Sequence, residues 1–368
     1  MKKILSLVAF FLVATLLTVG IVLYARGYRP NFRERTLDGT GIVSIKSQPS
    51  GATVFLNSEE KGTTDLDIPN LSPDQYRLKI TKEGFSTWEK EITIKKEQVG
   101  TIEVLLFPIA PNLKALTFTG AQKPLLSPDG DQIIFAVSNG SKDGLWILPL
   151  STRPLPIFFS RDLFQIVADT KANLFSEGKW RFSPDGNNLL VELKEGSFLL
   201  NSSERNQQPQ PLSATELSNL VSSWTTEIDQ TSKTAVKSLG RDAEILSATL
   251  SNVTLSPDKK RFLGTNKNGQ VVVFDSDPTL LVDSKPEIYT FPKAASYLWY
   301  SDSKHLISVE ENSLAVIELD GTNKAVVYTG NFASDLIVPW PDGSKIVILT
   351  NLNSTASKLP NLYAIELR

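Results

Sequence analysis

Leu126-Ser127-Pro128-Asp129-Gly130 is the stretch that most constrains this chain, because near copies of it return down the C-terminal two-thirds. The copies are Phe182-Ser183-Pro184-Asp185-Gly186, Leu255-Ser256-Pro257-Asp258-Lys259, the degenerate Tyr300-Ser301-Asp302-Ser303-Lys304, and Trp340-Pro341-Asp342-Gly343-Ser344. Their chemistry is that of a tight turn. Proline presets φ, aspartate accepts backbone N–H bonds, and glycine supplies positive φ before a strand begins. A chain that repeats its turns repeats a supersecondary unit, so each copy marks one module.

Each copy is followed by a short apolar strand, a polar turn and a second strand. Residues 132–137 turn through Asn139-Gly140 and Asp143-Gly144 into 145–150, 188–193 turn at Glu195-Gly196 into 197–200, and 261–265 turn at Asn268-Gly269 into 270–274. Residues 305–309 pair with 313–319, and 345–350 with 361–367, so every module is a small antiparallel sheet. The marker aspartates lie 56, 73, 44 and 40 residues apart. The two shorter spacings fit the roughly 40–45 residues of a four-stranded propeller blade.

These repeats resemble the Ser-Pro-Asp-Gly blades of TolB-like and WD-type β-propellers over residues 111–368. About 258 residues at roughly 42 per blade predict five to six blades, six preferred, with the long gap after Asp185 holding an insertion or a worn blade. The strand at 361–367 is expected to close the ring on the first blade, because an unpaired edge invites aggregation. The fold alone names no ligand, since it serves scaffolds, receptors and enzymes alike.

Ahead of the repeats, Ile4 to Tyr24 carry no charge, and Arg26, Arg29, Arg33 and Arg35 follow. That length spans a hydrocarbon core of about 30 Å as a helix. It exceeds the 7–15-residue core of a cleaved signal peptide and lacks its small-residue site, so an uncleaved single-pass anchor over 1–35 is expected. Basic residues flank both sides. The expected topology, with a cytoplasmic N-terminus and the bulk outside the cell membrane, rests on large domains translocating regardless of flanking charge. Beyond residue 35 the chain has 32 basic and 39 acidic residues, a net of about −7, which argues against a nucleic-acid partner. Cysteine is absent, which excludes disulfides, thiolate metal sites and thiol nucleophiles.

Residues 41–108 have their own alternation. Strands at 42–45 and 53–56 flank Pro49-Ser50-Gly51-Ala52, then come Gly62-Thr63-Thr64, Leu71-Ser72-Pro73, Tyr76 and Lys82-Glu83-Gly84-Phe85, and last strands at 88–94 and 100–107. This run resembles the PEGA domain, with Ser50 in place of the motif's glutamate. The resemblance implies a small β-sandwich on an exported or surface-anchored prokaryotic protein, with no general catalytic chemistry.

The long gap breaks blade grammar. Gln207-Gln208-Pro209-Gln210-Pro211 reads as a linker, and Ser213 with Glu216 fits a capping box. Leu217, Leu220, Val221, Trp224 and Ile228 then share one helical face, predicting an amphipathic helix over 214–228, packed on the propeller wall or serving as a lid or docking helix. The fold class is therefore all-β with one apolar helix, a sandwich over 41–108, and a propeller over 111–368 with a helical insertion.

Motifs for chemistry are sparse. His305, the only histidine, starts a strand after a turn, where an exposed role is expected. Gly-x-Ser-x-Gly, Walker and dinucleotide motifs are missing from the sequence, and Asp275-Ser276-Asp277 and Asp129-Gly130-Asp131 lack the later positions of a calcium loop and read as solvated turns. Asn70, Asn139, Asn201, Asn252 and Asn353 open sequons of a kind that arises by chance. No catalytic residue, metal ligand or cofactor is assigned. The expected function is non-catalytic binding or scaffolding of an envelope protein or cell-wall polysaccharide; the alternative is a glycan hydrolase or lyase using funnel carboxylates. Residues just before each turn belong to innermost strands, which puts Trp180, Trp299 and Trp340 near one rim as candidate ligand contacts. The competing reading makes them wedges between blades.

Overall fold

Helix α1, Lys2–Ala25, opens the chain, and its apolar side chains from Leu7 to Tyr24 are exposed on every side. In the computed structural model the described residues are 2–25, 27–31, 36–140, 142–150, 163–277, 286–293, 296–352 and 359–368. Arg26, Arg33, Arg35 and the sequon at Asn353 lie outside them. Two compact units divide the chain, one over Met1–Pro108 and the other over Ile109–Asp277 and Lys285–Arg368.

In the first unit a hairpin of β1 (Tyr28–Asn31) and β2 (Thr36–Gly39) follows α1. It is tied back at its base, where Thr40 N and Oγ1 both donate to Gly27 O at 3.0 and 2.6 Å. The sandwich comprises β3 (Gly41–Gln48), β4 (Thr53–Leu56), β5 (Glu59–Thr63), β6 (Leu66–Leu71), β7 (Asp74–Thr81), β8 (Trp88–Ile94) and β9 (Val99–Leu105). Its sheets run β6-β3-β9 and β5-β4-β7-β8, with β3 and β9 parallel. Alternation along the strands turns Val43, Ile45, Val54, Leu78, Ile80 and Ile102 into one core. The sequence motifs meet at one turn: Lys82 Nζ donates to Ser50 O (2.9 Å) and Gly51 O (3.2 Å), and Thr64 Oγ1 accepts from Ala52 N (3.0 Å). Gly51 sits at φ +72°, where a side chain is strained.

The second unit holds five sheets among the described residues. Blade one is β11 (Gln122–Leu126), β12 (Gln132–Val137), β13 (Gly144–Pro149) and β14 (Phe164–Ala168); blade two is β15 (Lys179–Phe182), β16 (Asn188–Glu192) and β17 (Ser197–Asn201). Blade three is β18 (Ser251–Leu255), β19 (Arg261–Thr265), β20 (Val271–Asp275) and β21 (Glu287–Phe291), and blade four is β22 (Ser296–Trp299), β23 (His305–Glu310), β24 (Ser313–Glu318) and β25 (Ala325–Thr329). Blade five joins β26 (Ile337–Pro339), β27 (Lys345–Thr350) and β28 (Asn361–Glu366) to β10 (Asn112–Ala115), the first strand of the unit. The ring thus closes through its two chain ends, as the edge-strand argument requires.

Blades stack through their faces. Phe135, Val137 and Leu150 of blade one share a core with Val338, Trp340 and Leu349 of blade five, while Ile134, Leu145 and Ile147 pack on Phe182, Leu189 and Val191 of blade two. Leu263 and Val273 of blade three pack on Trp299, Leu306 and Ile317 of blade four. This is a β-propeller with five blades among the described residues, which corrects the preferred count of six. The gap assigned to a hidden blade holds α2 (Ala214–Ser238) and α3 (Arg241–Ser247) instead. They cover the other face of blade three, where Val236 and Ala243 join the stacked pair Phe262 and Phe274.

The helical prediction stopped ten residues early. The capping box is present, but the apolar stripe lapses after Ile228 while the helix runs on to bury Val236, and Leu239 and Gly240 end it. Among the described residues blade two has three strands. A single bridge from Phe198 to Pro211, the bond from Leu212 N to Ser197 O (2.7 Å) and Asn206 Oδ1 on Asn201 N (3.0 Å) occupy its edge.

Candidate functional site

The turns that define the repeat converge at one end of the propeller. In each, one backbone bond closes six residues: Ser127 N to Gln132 O, Ser183 N to Asn188 O, Ser256 N to Arg261 O, Tyr300 N to His305 O and Trp340 N to Lys345 O, at 2.8–3.1 Å. The aspartate two residues on accepts from the backbone of its own turn, as Asp185 does from Asn187 N (3.1 Å) and Asp258 from Lys260 N (3.0 Å). Where serine opens the turn its hydroxyl adds a bond, from Ser183 to Asp185 Oδ1 at 2.5 Å. Together the Ser183 hydroxyl and the Asn187 amide hold the Asp185 carboxyl below the usual range.

Neighbouring turns touch. Gln132 Nε2 of blade one donates to Gly186 O (3.0 Å) in the turn of blade two, Ser303 Oγ of blade four accepts from Asp258 N (3.0 Å) in blade three, and the Tyr300 hydroxyl donates to Gly343 O in blade five. These bonds join the turns of blades one and two, three and four, and four and five, so neighbouring turns lie at the same end of their sheets. Gly186 sits at φ +73°, where a side chain is strained, and a Cβ there would press on the Asp129 carboxylate at 3.0 Å. The rim is a fixed surface with exposed Asp131, Asn187, Lys259, Lys304 and Asp342.

His305 is not exposed as expected. It is 9% accessible, because Tyr300 stands where the turns of blades one to three have a small serine and packs edge-on to the imidazole at 6.3 Å. Its Nδ1 lies 2.7 Å from Asp302 Oδ2. Burial pushes the Asp302 carboxyl up, but attraction to His305 and bonds from His305 and Lys304 outweigh it and hold the group below its usual range. Burial also raises the Tyr300 phenol, which therefore stays a donor to Gly343 O.

Asp275 is likewise not a solvated turn residue. It is 3% accessible, with its Oδ1 2.8 Å from Arg261 Nε in an ion pair whose N–H does not point at that oxygen. Arg261 spends its other nitrogens on Asp258 Oδ2 (2.9 Å) and Asp277 O (2.8 Å). Burial pushes the Asp275 carboxyl up, with Arg261 and the Asp277 amide only partly opposing.

The three tryptophans occupy three different positions relative to the turn and three separate cores. Trp340 is the first residue of its turn, Trp299 precedes its turn, and Trp180 lies three residues before Ser183, so the structure does not bring them together. Trp299 is 9% accessible and donates Nε1 to Thr254 O (3.1 Å) across the blade interface. Trp340 is 8% accessible, with Lys345 Nζ 5.0 Å above its ring. Trp180 is half-buried with Lys123 Nζ 5.4 Å above it, the most open of the three. The sequence missed that aromatic residues replace serine in two turns, because Tyr300 and Trp340 look like strand ends until the turn bond is seen.

At the other end of blade one, a cleft of about 490 Å³ is lined by Gly140, Lys142, Asp143, Gln165, Asp169 and Lys171. Its carboxylates are committed: Asp143 Oδ1 accepts from Asn139 N (2.7 Å) and Gly140 N (2.8 Å), and Asp169 Oδ1 from Ser176 N (2.9 Å). Among the described residues no group of three or more His, Cys, Asp and Glu could hold a metal ion.

The family model for the PEGA domain matches residues 40–108. That stretch is a PEGA domain. Lys82, Thr64 and the Pro49-Ser50-Gly51-Ala52 turn are thus the fixed point of the PEGA fold in this chain. A comparison with curated proteins finds no match. Among solved structures the chain is similar to a putative TolB from Agrobacterium tumefaciens, at 14% identity over 65% of this chain and 70% of that one, with a TM-score of 0.22. TolB from Acinetobacter baumannii matches at 14% identity over 80% and 61% with a TM-score of 0.22. The β-propeller domain of Myceliophteria thermophila Cps50 (Swd1) matches at 9% over 83% and 88%, again with a TM-score of 0.22. The blade assignment stands on the strand pairings themselves.

Proposed function

We propose that this protein is a membrane-anchored envelope protein that binds a protein or cell-wall polymer with the turn end of its propeller, with no catalysis of its own. The division behind it is an anchor and basic flank over 1–35, the PEGA domain over 41–108 and the propeller over 111–368. The observation that carries it is α1. An apolar helix exposed on all sides, with the 20 residues Ser6–Ala25 long enough to cross a bilayer, needs lipid around it, and it leads straight into folded β-structure.

The turn end suits binding because its backbone is already ordered by its own hydrogen bonds, so a partner meets a surface with little entropy left to lose. Its exposed mix of Asp131, Lys259, Lys304 and Asp342 favours a polar partner. In this reading the N-terminus is cytoplasmic and residues beyond 35 lie outside. Protease added to intact cells then removes the propeller; protection until lysis reverses the orientation. Lys259→Glu with Lys304→Glu should abolish capture of envelope partners, with Lys142→Glu and Lys171→Glu at the opposite cleft as controls. Loss in the control pair alone would move the binding face.

A further inference from the structure

The end of the PEGA domain reached from α1 carries two exposed apolar side chains. Because β3 and β9 are parallel, both begin at the same end of their sheet, and this is the end reached from α1. Ile42 and Val99 are register partners there, 38% and 67% accessible, adjacent on the outer face. The end is drawn up to the helix by a short chain of bonds: Thr40 N to Gly27 O (3.0 Å), Glu97 N to Thr40 O (2.9 Å) and Ile42 N to Gln98 O (2.9 Å). Gly41 is pressed so closely on Ile94 and Lys95 O that a Cβ would meet both at 2.6 Å, which keeps the 95–99 segment against the strand start.

Depth follows from length. The 20 apolar residues Ser6–Ala25 make about 30 Å of helix, the thickness of the hydrocarbon core, so Ala25 reaches its boundary. Thr40 is bonded to Gly27, and Ile42 lies two strand residues further, about 7 Å. The headgroup layer is about 5–8 Å thick on each side, so Ile42 and Val99 stand at interfacial depth when β3 runs oblique to the membrane normal. Around them are cations, with the exposed Glu97 carboxylate among them accepting from the Tyr28 hydroxyl (2.5 Å). The Arg29 guanidinium is held 3.9 Å over the Tyr24 ring with Nη1 on Tyr24 O (2.9 Å), and Lys95 and Lys96 are exposed on the adjoining loop, where the Lys96 stem packs against Gly39.

We infer that the PEGA domain is seated on the bilayer surface, with Ile42 and Val99 in the headgroup layer and Arg29, Lys95 and Lys96 on anionic lipid headgroups. An apolar pair at that depth gains by leaving water, and each nearby cation adds attraction to an anionic surface. The seat would fix the sandwich at a defined height instead of leaving it on a swivelling stalk. The inference rests on α1 being an anchor, as proposed above.

The absence of native cysteine makes the test direct. Full-length chain with Val99→Cys or Ser50→Cys, each carrying one environment-sensitive fluorophore, is reconstituted in vesicles with brominated acyl chains. Ser50 is exposed at the opposite end of β3. In vesicles containing phosphatidylglycerol the Val99 label should be quenched at least twofold more than the Ser50 label, at dilutions of one chain per vesicle. Quenching should weaken in pure phosphatidylcholine and in a Lys95→Glu, Lys96→Glu background. Chain that floats with vesicles while its Val99 label stays as wet as Ser50 overturns the seat and leaves the anchor intact. Chain that does not float overturns both. Shielding that needs two chains per vesicle overturns the lipid assignment in favour of a second copy, and quenching indifferent to lipid charge overturns the role of the cations.

Discussion

Asn361 is the test of ring closure, because one carboxamide oxygen on the last strand holds two groups from the segment that follows β10. Its Oδ1 accepts from Thr117 Oγ1 (3.1 Å) and Gly120 N (3.0 Å), and Thr117 Oγ1 in turn accepts from Leu362 N (2.9 Å). The site is buried, with Asn361 at 8% and Thr117 at 1% accessibility. Asn361→Ala removes two bonds of about 1 kcal/mol each and strands the Gly120 N–H, whose desolvation adds about 1–3 kcal/mol, so a total loss of about 3–5 kcal/mol is expected. Asn361→Asp keeps the acceptor oxygen for both donors and should lose less than half as much. The assay is urea unfolding followed by tryptophan fluorescence, with the change in midpoint multiplied by an unchanged slope. Equal losses for Ala and Asp would show that the acceptor is not what closes the ring, and a loss under about 0.5 kcal/mol for Ala would show that the two ends contribute nothing there.

Four further outcomes are expected. Trp299→Ala should cost about 3–5 kcal/mol plus the bond to Thr254 O, and Trp340→Ala a similar amount, whereas half-buried Trp180→Ala should cost clearly less; unfolding midpoints that rank Trp180 first would contradict the packing described. Lys82→Met should destabilise the PEGA domain by about 1 kcal/mol through its two carbonyl bonds, read as a lowered midpoint for the N-terminal unit, with no change there arguing that the exposed ammonium is replaceable by water. Asp302, held below the usual range, gives stability that is present above the ordinary carboxylate pKa and lost as pH falls through its depressed value, so Asp302→Asn should flatten the acid limb of stability. Asp275, pushed up by burial, has the opposite sign: its contribution is present at low pH and lost as pH rises through the raised value, so Asp275→Asn should steepen the acid limb, and midpoints between about pH 3 and 7 that shift both variants the same way would refute the assignment.

Turn chemistry was legible in the sequence because it is local. Proline, aspartate and glycine within five residues determine a turn wherever it sits, and the strands at 132–137, 261–265 and 345–350 begin and end where that grammar puts them. The outer strands β14, β21 and β25 carry no turn marker, so only their β-branched and aromatic residues separate them from loop. The ring closure could be argued only in outline, since Thr117 and Asn361 are 244 residues apart and neither looks unusual in its own neighbourhood. The five sheets lie within the expected five to six, and the arithmetic leans to six because it treats helix and sheet alike: Val236 and Ala243 cover the Phe262 and Phe274 face that a neighbouring blade would cover. His305 and Asp275 were misread for a related reason. Both sit at turns in sequence, but Tyr300 and Arg261 bury them, and burial at a turn is a property of the neighbouring strand or blade.

The pairing of β10 with β28 also imposes a schedule on biosynthesis. Strand β10 leaves the ribosome about 250 residues before its partner exists, which at about 5–20 residues per second is a wait of roughly 10–50 s. During that interval the nascent propeller is an open arc with two raw ends. Strand β10 is only four residues long, half-exposed and bears Lys114, features that make a waiting edge a poor template for a stray strand. The latch of the ring is thus built to be idle safely until the last strand arrives.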